Sequence, residues 1–169
     1  WRIGEQLDNG DLTSYVQAAS GFQTVTVSGT NGYIYIQKMI TIRAGSASTV
    51  AIINTSTGLD LMEISDLSCN GPSGTACIRA CNLSPFDVAL ENRGNSYRTF
   101  TNVRFQEVTP FSSFASGWYS IYVFRTNAFN NNNAIAAASA ALKTGGSYTL
   151  YMFNGPSSTD GLRTLILSN

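Results

Sequence analysis

The chain has 169 residues, 43% of them hydrophobic, and its ten basic and ten acidic residues give a net charge of zero. This length suits one large domain or two small ones. The even, sparse charge argues against a nucleic-acid partner and against a polybasic membrane surface. No apolar run reaches the roughly 18 residues needed to insert into a bilayer. Ser, Thr, Asn and Gly supply the polar surface, which is typical of secreted and cell-surface β-proteins.

Histidine is absent from the sequence. Its absence removes the commonest general base and the commonest metal ligand at neutral pH. A Ser-His-Asp or Cys-His arrangement cannot be built from this chain alone, and the ten acids are scattered. We therefore expect no catalytic residue, no metal site and no cofactor.

The first predicted element is a β-hairpin in "TVTVSGTNGYIYIQ", residues 24–37. Apolar and polar residues alternate on both sides of Asn31-Gly32, and this period of two is typical of strands with one buried face. Asn-Gly between two such runs favours a tight turn that needs positive φ. Tyr33 and Tyr35 fall on the non-core face of their strand.

Three further segments of the first half are predicted to be strands. "KMITIRAG" (38–45) and "LDLMEI" (59–64) alternate, whereas "STVAIIN" (48–54) is a β-branched run that predicts a more fully buried strand. No segment of this half shows a helical period.

The second half repeats the first. Residues 108–127 match residues 12–31 without a gap, and seven of the twenty positions are identical. Residues 145–154 match 45–54, and 161–167 match 58–64. Phe22 and Trp118 occupy equivalent positions after a glycine, so we expect both in the core.

Two segments of the second copy have special composition. "AFNNNNA" (128–134) predicts an extra polar loop. "AIAAASAAL" (134–142) has the alanine content of a helix, but the repeat aligns it with a strand of the first copy. We therefore predict a strand there.

The repeat predicts two tandem all-β sandwiches of short antiparallel strands. The first spans residues 1–68, a linker rich in Gly, Ser and Pro spans 69–75, and the second spans 76–169.

The stretch "IRACNLSPFDVAL" (78–90) resembles an extracellular bacterial and archaeal family known as domain of unknown function 4397. The residues that carry the resemblance are Arg79, Asn82, Ser84, Pro85, Asp87 and Val88. "FASGWYSIYV" and "GGSYTLYMFNG" extend it over nearly the whole chain. The resemblance implies tandem immunoglobulin-like sandwiches, secretion, and a structural or adhesive role at the cell surface. It supplies no catalytic residue.

The first copy starts late. Trp1 aligns with Tyr97, so the first copy has no counterpart of residues 76–96, which hold about two strands. A sandwich without two strands exposes apolar core and backbone groups that need partners. Three explanations remain open: the strands lie upstream in a longer or processed precursor, the domain is a reduced sandwich, or another subunit supplies the strands.

The three cysteines, Cys69, Cys77 and Cys81, lie within 13 residues. An odd count in a secreted chain suggests one disulfide and one remaining thiol. Cys69 could pair with Cys77 or with Cys81. The remaining thiol could join subunits, or it could be a small buried hydrophobic residue.

Together these features predict a secreted, non-enzymatic subunit that assembles with itself into a surface fibre or layer by heterologous contacts. Trp1, Tyr33 and Tyr35 are the candidate interface residues. The termini "WRIGEQL" and "GLRTLILSN" are candidate donated strands, and the first is favoured because the second resembles a native final strand. The alternative function is a binding module whose aromatic residues stack on surface glycans.

Overall fold

The computed structural model of the chain describes residues 2–92, 98–126, 134–156 and 161–169. The described residues form strands and no helix, which confirms the all-β prediction. No helix in this part of the chain could therefore cross a membrane. The strands are β1 Gly21–Ser28, β2 Ile34–Ile42, β3 Ser48–Thr55, β4 Gly58–Ser65, β5 Thr75–Asn82, β6 Val88–Asn92, β7 Arg98–Val103, β8 Ser112–Ala115, β9 Gly117–Arg125, β10 Ala136–Leu142, β11 Ser147–Asn154 and β12 Leu162–Ser168.

The chain divides into two compact units, Trp1–Asp66 (unit 1) and Leu67–Asn169 (unit 2). The residues predicted to form the linker, 69–75, lie in unit 2. There the Cys69 backbone N–H donates to Ser147 Oγ at 2.8 Å.

Unit 2 consists of two four-stranded sheets with the strand orders β10-β9-β6-β7 and β12-β11-β5-β8. Every pairing is antiparallel except that of β5 with β11. Strand β10, predicted from the repeat despite its alanine content, is confirmed. The buried apolar side chains of the two sheets form one core, whose members are Ile78, Ala80, Val88, Leu90, Val103, Ile121, Val123, Leu150 and Met152.

Unit 1 consists of two two-stranded sheets, β1-β2 and β3-β4. The predicted hairpin is confirmed, and its loop covers residues 29–33. The Gly29 N–H donates to Tyr33 O at 2.8 Å, and Gly32 has the positive φ (83°) that the turn requires. The segment 38–45 is not a separate strand, because β2 runs on to Ile42.

The strands of unit 1 repeat the outer strand pairs of unit 2 in the same register. Gly21 pairs with Ile42 in β1-β2, and the equivalent Gly117 pairs with Leu142 in β9-β10. Both glycines have positive φ, which explains why glycine is kept in both copies. Unit 1 therefore reproduces β9, β10, β11 and β12, but it contains no counterpart of the central strands β5 and β6 among the described residues.

β3 was expected to be more fully buried than the alternating strands, and fewer of its residues are exposed than in β1 and β2. Ile53 is its only fully buried residue, because no strand lies on its second side in the described part of unit 1. One burial prediction is wrong. Phe22 and Trp118 were expected in the core, but 75% and 70% of their surfaces are exposed. The buried residues of β9 are Ile121 and Val123, so Trp118 has the opposite parity and faces outward.

Two predicted features lie outside the described residues. One is Trp1, and the other is the polar loop 128–134, of which the structure describes only Ala134.

Amide hydrogen exchange should distinguish the two units. The described residues of unit 1 include only three large apolar side chains that are buried, Ile53, Leu61 and Ile64, so β1 and β3 should open more readily than their counterparts β9 and β11. We expect protection factors at least about tenfold lower in β1 and β3, measured by mass spectrometry of peptic fragments. Equal protection in both strand pairs would contradict this comparison.

Candidate functional site

The central strands of unit 2 show what unit 1 lacks. Every residue of β5 from Ala76 to Asn82 is buried, as are Val88, Ala89 and Leu90 of β6. These two strands supply four of the nine core residues, and each pairs with a strand on both sides. Removing them would open both sheets at the middle.

Asn82, one of the motif residues, joins the β5–β6 turn to β7. Its Nδ2 donates to Phe86 O at 2.6 Å and to Val103 O at 2.8 Å. Its Oδ1 accepts from Ser84 N at 2.9 Å and from Ser84 Oγ at 2.6 Å. Asn82 and Ser84 are fully buried, so their role is to satisfy the buried polar groups of this turn.

Thr109 holds the other side of β5. Its N–H donates to Ala80 O, and its Oγ1 accepts from Ala80 N, both at 2.9 Å. The identical residue of the first copy is Thr13. The repeat thus preserves in unit 1 a threonine whose counterpart contacts β5.

Arg79 is a cation held inside unit 2, with 4% of its surface exposed. Its Nε donates to Thr149 Oγ1 at 3.0 Å, and Thr149 Oγ1 in turn donates to Asn169 Oδ1 at 2.9 Å. The Arg79 guanidinium carbon lies 5.0 Å from the centre of the Phe111 ring, which is within cation–π distance.

The register of unit 2 locates the unfilled positions of unit 1. β6 pairs with residues 121–125 of β9, and β5 pairs with residues 147–152 of β11. The equivalent residues of unit 1 are 25–29 and 47–52. We call these two strand edges the acceptor site; among the described residues, no strand pairs with either of them.

The first residues of the chain fit the same interpretation. The repeat aligns residues 2–7 with β7 and residues 16–19 with β8. In unit 2 these strands pair with β6 and β5, whereas residues 2–20 contain no strand. The segments that would flank the two central strands lack regular pairing because those strands are missing from unit 1.

Unit 1 also exposes many large apolar side chains. At least 39% of the surface of each is accessible. They are Ile3, Leu7, Leu12, Tyr15, Val16, Phe22, Tyr33, Ile34, Tyr35, Met39, Ile52 and Leu59. Exposed apolar surface on this scale is typical of an interaction site.

The candidate interface residues Tyr33 and Tyr35 are both exposed and contact each other edge to face, with ring centres 5.0 Å apart. On the same strand, Lys38 Nζ lies 3.3 Å from Asp60 Oδ1 and donates to Leu61 O at 2.9 Å. The Leu61 N–H and then Lys38 hold the pKa of Asp60 below its usual value. No cluster of His, Cys, Asp and Glu in the described ranges could bind a metal.

The cysteines form one disulfide, Cys69–Cys77, and one free thiol, Cys81. Cys81 lies within β5 and is fully buried. Burial raises the pKa of this thiol to about 12, although Arg79 acts in the opposite direction. Of the two interpretations of the remaining thiol, the structure favours the small buried hydrophobic residue.

Sequence analysis missed one cluster, formed by Tyr15, Thr49 and Asp66. The Tyr15 hydroxyl donates to Asp66 Oδ2 at 2.5 Å, and Thr49 Oγ1 donates to both carboxylate oxygens at 2.9 and 3.0 Å. The bond to Asp66 raises the pKa of Tyr15. The signal lay in the repeat, which aligns Tyr15 with Phe111 and Thr49 with Thr149.

A family model described as Domain of unknown function (DUF4397) matches residues 2–93, more than half of the chain. The matched stretch contains unit 1 and the strands β5 and β6. No curated protein matches the chain.

Replacing Asn82 by Ala should destabilise unit 2 by about 3 kcal/mol, because it leaves buried carbonyl and N–H groups without partners. Urea unfolding at constant pH measures the change. Asn102→Ala is the control, since Asn102 is exposed and its Oδ1 only accepts from Thr126 Oγ1. Equal effects of the two substitutions would contradict the role assigned to Asn82.

Cys81 should resist alkylation by iodoacetamide in the native state at pH 8 and react once unit 2 is unfolded in urea. Its folded pKa of about 12 exceeds the ordinary thiol value of about 8.5, because the folded state holds the neutral thiol. The contribution of Cys81 to the free energy of unfolding is therefore constant below about pH 8.5. It falls as the pH rises toward the folded pKa of about 12, by at most about 1.4 kcal/mol per pH unit. Cys81→Ala should remove this component of the pH dependence. Native labelling as fast as labelling in urea would show that the thiol is accessible.

Proposed function

The chain belongs to the family described as Domain of unknown function (DUF4397), and from that premise we propose that it is a secreted structural subunit that assembles into a cell-surface fibre or layer. In this proposal its two units are immunoglobulin-like sandwiches, and a neighbouring subunit fills the acceptor site of unit 1. One observation carries the proposal: β5 and β6 occupy the middle of both sheets of unit 2, and the equivalent positions of unit 1 are open in the described residues.

The missing part is a defined pair of strands. One incoming strand would pair antiparallel with β1, as β6 pairs with β9. The other would pair parallel with β3, as β5 pairs with β11. Residues 2–7 align with β7 and therefore belong to the acceptor's own sheet. For this reason we no longer favour "WRIGEQL" as the donated strand.

Burial of the exposed apolar side chains of unit 1 would offset much of the free-energy cost of association. Burying a large aliphatic or aromatic side chain contributes about 1.5–3 kcal/mol, and unit 1 exposes twelve large apolar side chains. Burying six of them would contribute at most about 9–18 kcal/mol, and less in proportion to the surface that is already covered. Association costs about 4–15 kcal/mol, and paired backbone groups of two strands add to the gain.

The strands within residues 1–169 do not suffice to fill both units. Among the described residues they include one β5–β6 pair, which serves unit 2, whereas the four strands of unit 1 have no such pair. If one copy donated its β5–β6 pair to unit 1 of another, its own unit 2 would lose these strands and become the open one. We therefore propose that the neighbour carries a further pair of the same type.

Two features favour assembly with a neighbouring copy, whose further strand pair would lie outside residues 1–169. Only 12% of residues are charged, about half the usual fraction, so identical subunits can pack without accumulating repulsion. The exposed Tyr33 and Tyr35 are of a type enriched at interfaces. A contact that joins an acceptor to a different surface of the next copy builds an open filament.

A carbohydrate-binding module is the second candidate. The observation that favours it is the outward position of Phe22 and Trp118, which are equivalent residues with flat, exposed rings. Such rings can stack on sugars, as they can on other planar or apolar surfaces.

A peptide with the sequence of residues 75–92, carrying Cys77→Ala and Cys81→Ala, tests the acceptor site. By fluorescence anisotropy it should bind the chain one to one. The Thr126 N–H donates to Asp87 O beside β6, so by the alternation of strands the N–H of Thr26, equivalent to Tyr122, faces the acceptor site. Thr26→Pro should abolish binding, whereas the control Thr26→Ala should preserve it.

The same proposal predicts the state of the protein on the cells that produce it. Extracted without boiling, it should form elongated particles by negative-stain microscopy that resolve to single chains after boiling, with or without reductant. Monomeric particles with a closed unit 1 would assign the strands to the same polypeptide. Monomers that bind glycan arrays would favour the second candidate, and a peptide that does not bind would remove the acceptor site.

A further inference from the structure

The acceptor site of unit 1 carries a carboxylate where unit 2 carries an amide. The Asp66 N–H donates to Ala47 O, just as the Asn169 N–H donates to Ser147 O. Both side chains also accept a hydrogen bond from the threonine two positions further along the facing strand, Thr49 or Thr149. Asp66 and Asn169 are therefore structural equivalents.

In unit 2 this position holds a cation. Arg79 of β5 donates to Thr149 and lies over the Phe111 ring, and Asn169 accepts the hydrogen bond that orients Thr149. The aromatic ring and the threonine thus contact the arginine, and the residue equivalent to Asp66 orients the threonine.

In unit 1 the same three positions hold Tyr15, Thr49 and Asp66, which hydrogen-bond to one another. We call them the Asp66 cluster. Asp66 is half-buried, and no Lys or Arg among the described residues forms an ion pair with it. The cluster lies beside β3, where the incoming counterpart of β5 would pair.

We propose that the Asp66 cluster is a specificity site that selects an incoming strand with arginine at the position of Arg79. This inference rests on the proposed function, since it requires an incoming strand. The carboxylate accepts the guanidinium N–H groups, and the Tyr15 ring supports the guanidinium face. Unit 2 has a neutral amide at this position because its arginine arrives on the same chain, where the effective concentration of β5 is already high.

Asp66 in unit 1 replaces the neutral Asn169 of unit 2. In this proposal the added negative charge gives the acceptor site a preference for arginine, which unit 2 does not need. The carboxylate forms a charge-assisted hydrogen bond with an incoming arginine. An apolar residue at the same position of the strand offers it no hydrogen-bond donor. A strand without arginine would desolvate the half-buried carboxylate further and add no charged partner to the hydrogen bonds from Tyr15 and Thr49. The cluster therefore favours strands of the "IRACNLSP" type over other apolar strands of similar length.

A double-mutant cycle between the chain and the peptide of residues 75–92 tests the proposal. Against the parent chain, the peptide with Arg79→Met should bind roughly tenfold more weakly than the peptide with Arg79. Asp66→Asn copies the residue found in unit 2, so it should fold normally and bind the Arg79 peptide roughly tenfold more weakly. On the Asp66→Asn chain the two peptides should bind alike, to within about twofold.

Glu63→Gln is the matched control, because Glu63 is exposed on the neighbouring strand β4 and its replacement removes the same charge. It should leave the preference for Arg79 unchanged. If the parent chain binds both peptides equally, the arginine selection is overturned while the acceptor site stands. If neither peptide binds the parent chain, the acceptor site and the proposed function are overturned with it.

Discussion

A strand in the middle of a β-sandwich has two functions at once, because its backbone pairs with a neighbour on each side while its side chains fill the space between the sheets. In unit 2, β5 and β6 provide both functions, and all the flanking strands are ordered around them. β11 is largely buried beside β5, whereas β3, its equivalent in unit 1, has one buried residue. The differences between the two units follow from the presence or absence of these two strands.

The buried polar residues of the motif also derive their role from the central strands. Arg79, Asn82 and Ser84 are inside unit 2 and satisfy groups on the turn, on β7 and on β11. Such groups are costly to bury without partners, so they tie β5 and β6 to particular positions rather than to any apolar surface. A pair of strands with these residues therefore docks best where the matching hydrogen-bond partners are present.

Much of the fold followed from periodicity and repetition. The alternation in residues 24–37 predicted β1 and β2, and the alignment of 134–142 with a strand overruled the helical propensity of its alanines. The β-branched run of β3 predicted greater burial than in the alternating strands, but the extent of that burial depends on a neighbouring strand that the run itself does not encode. The error arose where the packing of individual side chains decides the outcome. Phe22 and Trp118 are large and follow a glycine, but the parity of β1 and β9 places them on the outer face. The Asp66 cluster could not be found from local sequence, since Tyr15, Thr49 and Asp66 converge only after folding.

The Cys69–Cys77 bridge has a consequence for how the chain could trade its own strands. Cys77 lies in the buried part of β5, and the N–H of Cys69 donates to Ser147 Oγ at the start of β11. The disulfide thus fixes the Cys69 segment to β5, and β5 cannot move to another molecule in this oxidised form without breaking the hydrogen bond to Ser147. An oxidising environment therefore favours a unit 2 that retains its own central strand, while the acceptor site of unit 1 remains open.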